Sequence, residues 1–442
     1  MTDAATAVPS RAAILRFAAP VMLANLTTPL LGIVDTAIMG RSPDPALIAA
    51  VAVGSTVLTV LFWAFSFLRQ STVGLTAQAL GAGEATELAA ALLRPLALAA
   101  LIGTVLILLQ APIAALAFGL MTSAPEVETA ARAYYGWRIA AAPFALANYA
   151  LAAWLIGQRR ARLVLGLQLA MNGGNAALTA LFVLGFGLGP AGAGLGTALA
   201  EMLTCLATLG LPAVRAQFAP AVLRAVCSGG RAQFARLMRA NRDILLRTLV
   251  LTLTLASFTR FGGTLSTATL AANQVLMQWL VAGAYFLDGF ANAAEVWGGA
   301  AVGAGDRAAL AAVARRTGEL AFACALLLAG LFWLAGDALI ALITVSAEVR
   351  ALADACLPWL VLSPIVGVAA FQFDGLFFGA TRTAPLRDMM VLAAGGYALA
   401  LWWWLPRWGN HGLWAALMLF FVLRSVLLAA CWPALKRSVG PA

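Results

Sequence analysis

Residues 80–84 read LGAGE and residues 302–306 read VGAGD, with Gly81 and Gly303 separated by 222 positions. The same offset carries APEV (124–127) onto SAEV (346–349) and WLIGQRR (154–160) onto LFFGATR (376–382). GPAG (189–192) and GNHG (409–412) match at an offset of 220. Four blocks in one order at nearly one spacing describe a chain made of two copies of a single unit.

The composition between the blocks says what that unit is made of. The 442-residue chain is 63% hydrophobic and only 10% charged, with mean hydropathy +0.92. A soluble globular chain carries about 25% charged residues, so this one lacks the polar surface to cover itself in water and belongs in a bilayer. Apolar runs of about 20 residues or more, the length an α-helix needs to cross the hydrocarbon core, recur along it. They do not alternate as the strands of a β-barrel would. The expected fold is an all-α polytopic membrane protein with twelve spans, at roughly 14–40, 47–80, 92–120, 130–157, 162–188, 191–215, 242–263, 268–303, 316–345, 350–379, 386–405 and 411–435. A run of about 34 residues rises roughly 50 Å as helix, so the second and eighth must tilt, bend or project into water. Six spans per half is an even number, so the copies keep one orientation, as parallel repeats about an axis along the membrane normal. Two such bundles suit alternating access to a central site, although channels and scaffolds are also duplicated.

The formal charge of +10 does not point to nucleic acid, because the basic residues sit in short patches between the apolar runs. On one side of the expected spans lie Arg11, Arg16, Arg94, Arg159, Arg160, Arg162, Arg215, Arg224, Arg231, Arg236, Arg239, Arg242, Arg307, Arg315, Arg316, Arg382, Arg387, Lys436 and Arg437; on the other lie Arg41, Arg132, Arg260, Arg350 and Arg407. That asymmetry puts both termini in the cytoplasm. The expected division is an N-terminal lobe at 1–215, a cytoplasmic linker at 216–241 and a C-terminal lobe at 242–442. The first apolar run is too long for a cleavable signal peptide. Cys205, Cys227, Cys324, Cys356 and Cys431 are scattered and form no CxxC, so they read as small buried apolar residues.

Five acids remain inside the spans (Asp35, Glu201, Asp288, Glu295 and Asp374), with four arginines (Arg69, Arg138, Arg247 and Arg424). A charge at the centre of a span costs about 2.5–3.5 kcal/mol on insertion scales, so such groups pair, face water or carry an ion. Depth collects Arg247, Asp288, Glu295 and Asp374 in the cytoplasmic half of the second bundle. They read as a structural ion-pair cluster, Arg247 with Asp288 or Asp374, or as a second coupling or gating site. Arg69 reads as snorkelling to the inner interface.

Asp35 lies instead in the outer half of the first bundle. Asn25, Thr28, Gly32 and Asp35 are spaced 3, 4 and 3, which makes one polar stripe on a helix. Pro29 has no N–H, so the carbonyl of Asn25 loses its helical partner and the helix can bend; Pro20 offers a second hinge. Asn172, Asn175 and Thr197 supply hard oxygen donors that suit Na⁺ or a hydrogen-bonded carboxylic acid, and with Asp35 they form the candidate cation-coupling set. The alternative is that Asp35 simply pairs with Arg138. A substrate cavity is expected near Asn25, Thr28, Asn148 and Met171. Met22, Met171 and Met277 would suit varied amphipathic ligands, since methionine adapts its shape, but they also serve as ordinary packing.

Five stretches carry a resemblance: PVMLANLTTPLLGIVDTAIMGR (20–41), FLRQSTVGLTAQALGAG (67–83), MRANRDILLRTL (238–249), YFLDGFANAAE (285–295) and FDGLFFGATR (373–382). Over residues 14 to about 430 the chain resembles the multidrug and toxic compound extrusion (MATE) family, in its DNA-damage-inducible protein F branch. The resemblance implies twelve helices in two six-helix lobes forming a V, the MATE/MOP-type fold. It implies export of cationic or amphipathic compounds across the inner membrane in exchange for H⁺ or Na⁺. It makes Asp35 the cation-coupling residue, Pro20 a site of bending in the first helix, and Asn175 and Thr197 partners of the acid. Many relatives carry a second aspartate one turn after that asparagine, where this chain has Thr179. The missing carboxylate favours H⁺ over Na⁺.

The expected function is therefore secondary active efflux by a monomeric antiporter, without cofactor. The alternative within the superfamily is a lipid-linked oligosaccharide flippase, which would need Arg69, Arg138, Arg247 and Arg424 to line one cavity. An enzyme is disfavoured: His411 is the one histidine, without metal-ligand spacing around it, and no GxSxG or HExxH occurs.

Overall fold

The structure, a computed structural model, describes residues 8–41, 45–121, 124–228 and 231–440. Within helices, the side chains of residues 28–33, 36, 45, 227, 228, 231–234 and 236 also lie outside the description, so the expectations placed on the side chains of Thr28, Pro29 and Cys227 fall there.

Among the described residues the secondary structure is helical throughout. The first half holds α1 (Arg11–Met39), α2 (Pro45–Trp63), α3 (Phe67–Ala82), α4 (Ala85–Leu108), α5 (Gln110–Leu120), α6 (Pro125–Ala140), α7 (Ala142–Gly157), α8 (Ala161–Ala180) with a π-helical turn at Leu181–Gly185, and α9 (Gly189–Gly210). The short α10 (Pro212–Arg215) and α11 (Pro220–Ser228) lead to the second half, α12 (Arg231–Leu265), α13 (Thr267–Gly303), α14 (Arg307–Ile343), α15 (Ala347–Gly379) and α16 (Thr383–Ser438). Nine stretches among the described residues are long and apolar enough to cross a membrane, and α6 with α7, bent by 52°, makes one more broken span. α2 and α3 form one of the nine, Ala46–Ala82. The 56-residue α16 is two spans divided at Gly409, whose φ of 53° no continuous helix contains. Together with α1 these give the twelve spans read from the sequence. Leu327, Leu334 and Leu342 on α14 are 75%, 86% and 75% exposed, a surface that calls for lipid rather than water.

The duplication is written into the backbone. Gly83 and Gly305 have φ of 71° and 69°, Gly189 and Gly409 both 53°. Arg159 and Thr381, at φ of 64° and 51°, are the positive-φ residues other than glycine among those described, and they too stand 222 apart. Each follows a helix end closed in the same way. Arg159 N–H donates to Ile156 O and Arg160 N–H to Leu155 O; Thr381 N–H donates to Phe378 O and Arg382 N–H to Phe377 O. This is the left-handed cap that satisfies the last carbonyls of a helix. The offset falls to 220 only beyond these caps, so the first half carries two extra residues there, in the stretch that also holds the π-helical turn.

Packing divides the chain into two units. One comprises Met1–Met22, Ala77–Gly83 and Arg236–Ala442; the other comprises Leu23–Thr76 and Glu84–Ala235. These units cut across the lobe boundaries read from the sequence, because α1 and α3 each give one end to one unit and the remainder to the other. Glycine permits the α3 ending. A Cβ at Gly81 would strike the carbonyl of Ala300, and a Cβ at Gly303 would strike the carbonyl of Gln78. The two contacts exchange under the 222 offset, so the opening motif marks where repeat meets repeat backbone to backbone, as small residues allow in membranes. Gln78 Nε2 adds donations to Gly379 O (2.7 Å) and Thr381 Oγ1 (3.1 Å). Phe17 of α1 meets Trp297 edge-on at 5.1 Å, and Met22 lies against Gly289.

Polar clamps fix the ends of the second half. Ser266 and Asp306 accept from the N–H groups of Thr269 and Ala309, capping α13 and α14. At the Gly409 break, Asn273 and Asn410 exchange amide hydrogen bonds of 2.7 and 2.9 Å, and Trp414 Nε1 donates to Asn273 Oδ1 at 2.9 Å. Replacing Gly303 by Leu is expected to abolish or sharply reduce folded protein, because Gln78's backbone cannot retreat. Gly395→Leu, at an open glycine, should leave the yield unchanged. Fluorescence-detected gel filtration of the two variants is the check.

Candidate functional site

α1 brings Asp35 to a position where it is 3% exposed, and among the described residues its hydrogen-bond donors are neutral hydroxyls. Thr179 Oγ1 of α8 donates to Asp35 Oδ1 and Thr197 Oγ1 of α9 donates to Asp35 Oδ2, both at 3.2 Å. Behind them Asn175 Nδ2 donates to Thr197 Oγ1 at 2.7 Å and, more weakly, to Thr179 Oγ1 at 3.4 Å. Asn175, Thr179 and Thr197 are all buried. Asn175 and Thr179 are one turn apart on α8, so they share a face. Gly196 lets α9 come close enough to present Thr197, since a Cβ there would lie 2.8 Å from Thr179 Oγ1.

The proton order of this network runs one way, amide to hydroxyl to carboxylate. One element can turn. The Thr197 hydroxyl has a single proton and a second acceptor within reach, Ala193 O at 3.0 Å. Asn175 Oδ1, a buried acceptor of the same network, has no hydrogen-bond partner among the described residues. The site thus offers a carboxylate, two hydroxyls and an amide oxygen, all hard oxygen ligands.

Of the residues expected from sequence, Asp35, Asn175 and Thr197 come together. Asn172 sits three residues before Asn175 and donates from Nδ2 to the carbonyl of Thr27 on α1 at 3.1 Å. Thr179, read from sequence only as the place where a second acid is missing, is a direct donor to Asp35. Its i+4 spacing from Asn175 was the available signal. Asn148 donates to the carbonyl of Glu201 at 2.9 Å and so ties α7 to α9, while Asn25 and Met171 are half-buried. α1 is a single helix through Pro20 and Pro29, so neither proline breaks it in this conformation.

The alternative partner for Asp35 is committed elsewhere. Arg138 of α6 pairs with Glu201 of α9 at 2.5 Å, both side chains nearly buried. In the other unit Arg247 of α12 forms a salt bridge with Asp374 of α15, as one of the two sequence alternatives had it. Sequence reasoning left out Arg424 of α16, which donates to the same Asp374 Oδ2 at 2.7 Å. Arg424 lies 15 residues in from the Gly409 break, roughly 22 Å of helix, and the depth argument used for Asp374 would have found it. Glu295 is buried and Asp288 half-buried on α13. At one helix end Asp243 takes Arg387 (2.6 Å) and Thr383 (3.2 Å), joining α12 to α16.

The sequence pattern of MatE matches residues 20–188 and 244–404, and the chain is 41% identical over 425 residues to the DNA damage-inducible protein F of Escherichia coli (strain K12), covering 95% of this chain and 91% of that one. The chain belongs to the MatE family. It is a multi-pass membrane transporter of the DNA-damage-inducible protein F type. Solved structures share its fold at low identity. A MATE in the bent conformation superposes with a TM-score of 0.87 at 18% identity over 99% of this chain and 98% of that one. A MOP superfamily transporter from Pyrococcus furiosus, described as having a binding pocket of reverse polarity, gives 0.85 at 16% over 100% and 99%. An outward-facing multidrug resistance MATE transporter gives 0.83 at 18% over 99% and 98%.

Removing one member of a buried pair strands the other charge, a loss of about 3–5 kcal/mol. Arg138→Gln, which strands Glu201, and Asp374→Asn, which strands Arg247 and Arg424, are each expected to lower the melting temperature by several degrees in thermal unfolding of the detergent-purified protein. Exposed Arg407→Gln should not.

Proposed function

We propose that this MatE member is a secondary active efflux antiporter of the cytoplasmic membrane, with both termini inside, that exports amphipathic or cationic compounds in exchange for H⁺ through Asp35. The observation that carries the reading is the donor set around Asp35: one buried carboxylate held by two hydroxyls, one of which has an alternative acceptor. Protonation of Asp35 turns that oxygen from acceptor to donor. Thr197 then releases it and bonds Ala193 O instead, and the proton on Asp35 must find an acceptor. The unpartnered Asn175 Oδ1 is in the same network and can take it if the amide turns. α1 loses its attachment to α9 and re-forms its attachment to α8 through Asn175, and the helix, weakened at Pro20 and Pro29 by missing N–H donors, is free to bend and displace the substrate.

The absence of a second acid favours H⁺. A Na⁺ ion at this site would have one negative ligand, and it would have to turn the two threonine hydroxyls away from Asp35. The flippase reading finds less support. Three of the four arginines inside spans are engaged, Arg138 with Glu201 and both Arg247 and Arg424 with Asp374, so their guanidinium groups are already directed at carboxylates and not at a pyrophosphate.

Efflux of tetraphenylphosphonium from proteoliposomes, driven separately by imposed H⁺ and Na⁺ gradients, tests the proposal. Wild type should respond to H⁺ and not to Na⁺. Asp35→Asn should abolish the response, and Thr197→Val should reduce it about tenfold or more, since a hydrogen bond to a charged group is worth about 1.5–3 kcal/mol. Thr179→Asp, which restores a second carboxylate, should add a response to Na⁺. Uphill export by Asp35→Asn would contradict the mechanism.

A further inference from the structure

A buried ion pair stands one helical turn from the group that holds Asp35. Thr197 and Glu201 are four residues apart on α9, so their side chains share a face, with Cβ atoms about 5–6 Å apart. Thr197 Oγ1 donates to Asp35 Oδ2 at 3.2 Å, while Glu201 takes Arg138 of α6 at 2.5 Å. The side chains of the pair are 11% and 12% exposed. Close approach of two helices puts Arg138 there. A Cβ at Gly194 of α9 would lie 2.5 Å from the carbonyl oxygen of Tyr134, and Arg138 is one turn beyond Tyr134 on α6. The ring of Phe62 on α2 lies 5.7 Å from the guanidinium, and Asn148 of α7 donates to Glu201 O at 2.9 Å.

The guanidinium is not used up by this pairing. Arg138 Nε is buried without a hydrogen-bond partner among the described residues. The charge of Arg138 also reaches Asp35, and Tyr134 lies within the fields of Asp35, Arg138 and Glu201 together. α8 meets Asp35 with the uncharged Thr179, backed by the uncharged Asn175. Arg69 of α3 acts on Tyr149 of α7 alongside the pair. Arg138 is thus the cation placed to take Asp35, and Glu201 is the acid that occupies it. A buried ion pair contributes little stability beyond that of apolar side chains of the same volume, so stability alone does not account for this pair beside Asp35.

We propose that Glu201 is a positioning residue for the proposed exchange: by holding Arg138 it keeps that guanidinium off Asp35, so that α1 stays attached to α8 and α9 through neutral donors and can be released. Without Glu201, Arg138 turns onto Asp35 and ties α1 to α6 by an ion pair. The role rests on the reading of Asp35 as the coupling acid.

Two measurements on the full-length protein test it. In proteoliposomes, Glu201→Gln should lower H⁺-driven tetraphenylphosphonium efflux about tenfold or more. Glu201→Gln with Arg138→Gln should recover most of it, because no cation is then left to close on Asp35. In detergent, Asp35→Asn should lower the melting temperature of Glu201→Gln by several degrees more than that of wild type, since only in the variant does it strand Arg138. Unchanged efflux in Glu201→Gln, a double variant as inactive as Glu201→Gln, an equal cost of Asp35→Asn in both backgrounds, or failure of Glu201→Gln to fold would each overturn the proposal. Wild-type efflux that ignores the H⁺ gradient would overturn the transport reading instead, and the melting comparison would still decide the role of Glu201.

Discussion

An ionised carboxylate among apolar helices persists only if donors replace the water it has lost. Asp35 meets that requirement with two threonine hydroxyls from two different helices. The arrangement fixes more than one side chain. It attaches α1 to both α8 and α9, and it makes the attachment conditional on the charge. A salt bridge to Arg138 would have held Asp35 more firmly and made it harder to neutralise. Arg138 is bound to Glu201 instead, so the network that holds α1 is built of neutral donors.

The two units treat their buried charges differently. Asp374 receives two arginines on a single oxygen, so side chains from α12 and α16 hold one carboxylate of α15. Asp35 has no such clamp. Duplication thus yielded two bundles of one backbone plan, one carrying a lightly held acid and the other a heavily clamped one. α12, α15 and α16 all contribute to that clamp.

Much of this was legible in the sequence because membrane insertion leaves few options. The twelve runs and the even number per half follow from hydropathy, and the repeat blocks at 81/303, 157/379 and 189/409 turned out to be backbone features. They are glycine crossings, helix caps and a left-handed break, which tolerate little substitution and therefore stay recognisable. Asp35, Asn175 and Thr197 could be grouped because polar residues in apolar spans are costly unless they meet. Thr179 was misjudged because a threonine in a span is cheap, and its value appears only when its hydroxyl is seen facing a carboxylate. Arg424 was left out of its cluster because the depth argument was not carried onto the last span, where it applies equally. The assignment of the ends of α1 and α3 to the other unit was not legible at all, as it depends on which backbones glycine allows to cross.

The central claim is that Asp35 gains and loses a proton as substrate leaves and binds. Difference infrared spectroscopy of the purified protein reads this directly through the carboxylic acid C=O stretch. A band that grows as pH falls, disappears on adding tetraphenylphosphonium and is missing in Asp35→Asn is the predicted result. A band that persists in Asp35→Asn, or one that the organic cation leaves unchanged in wild type, would contradict the account.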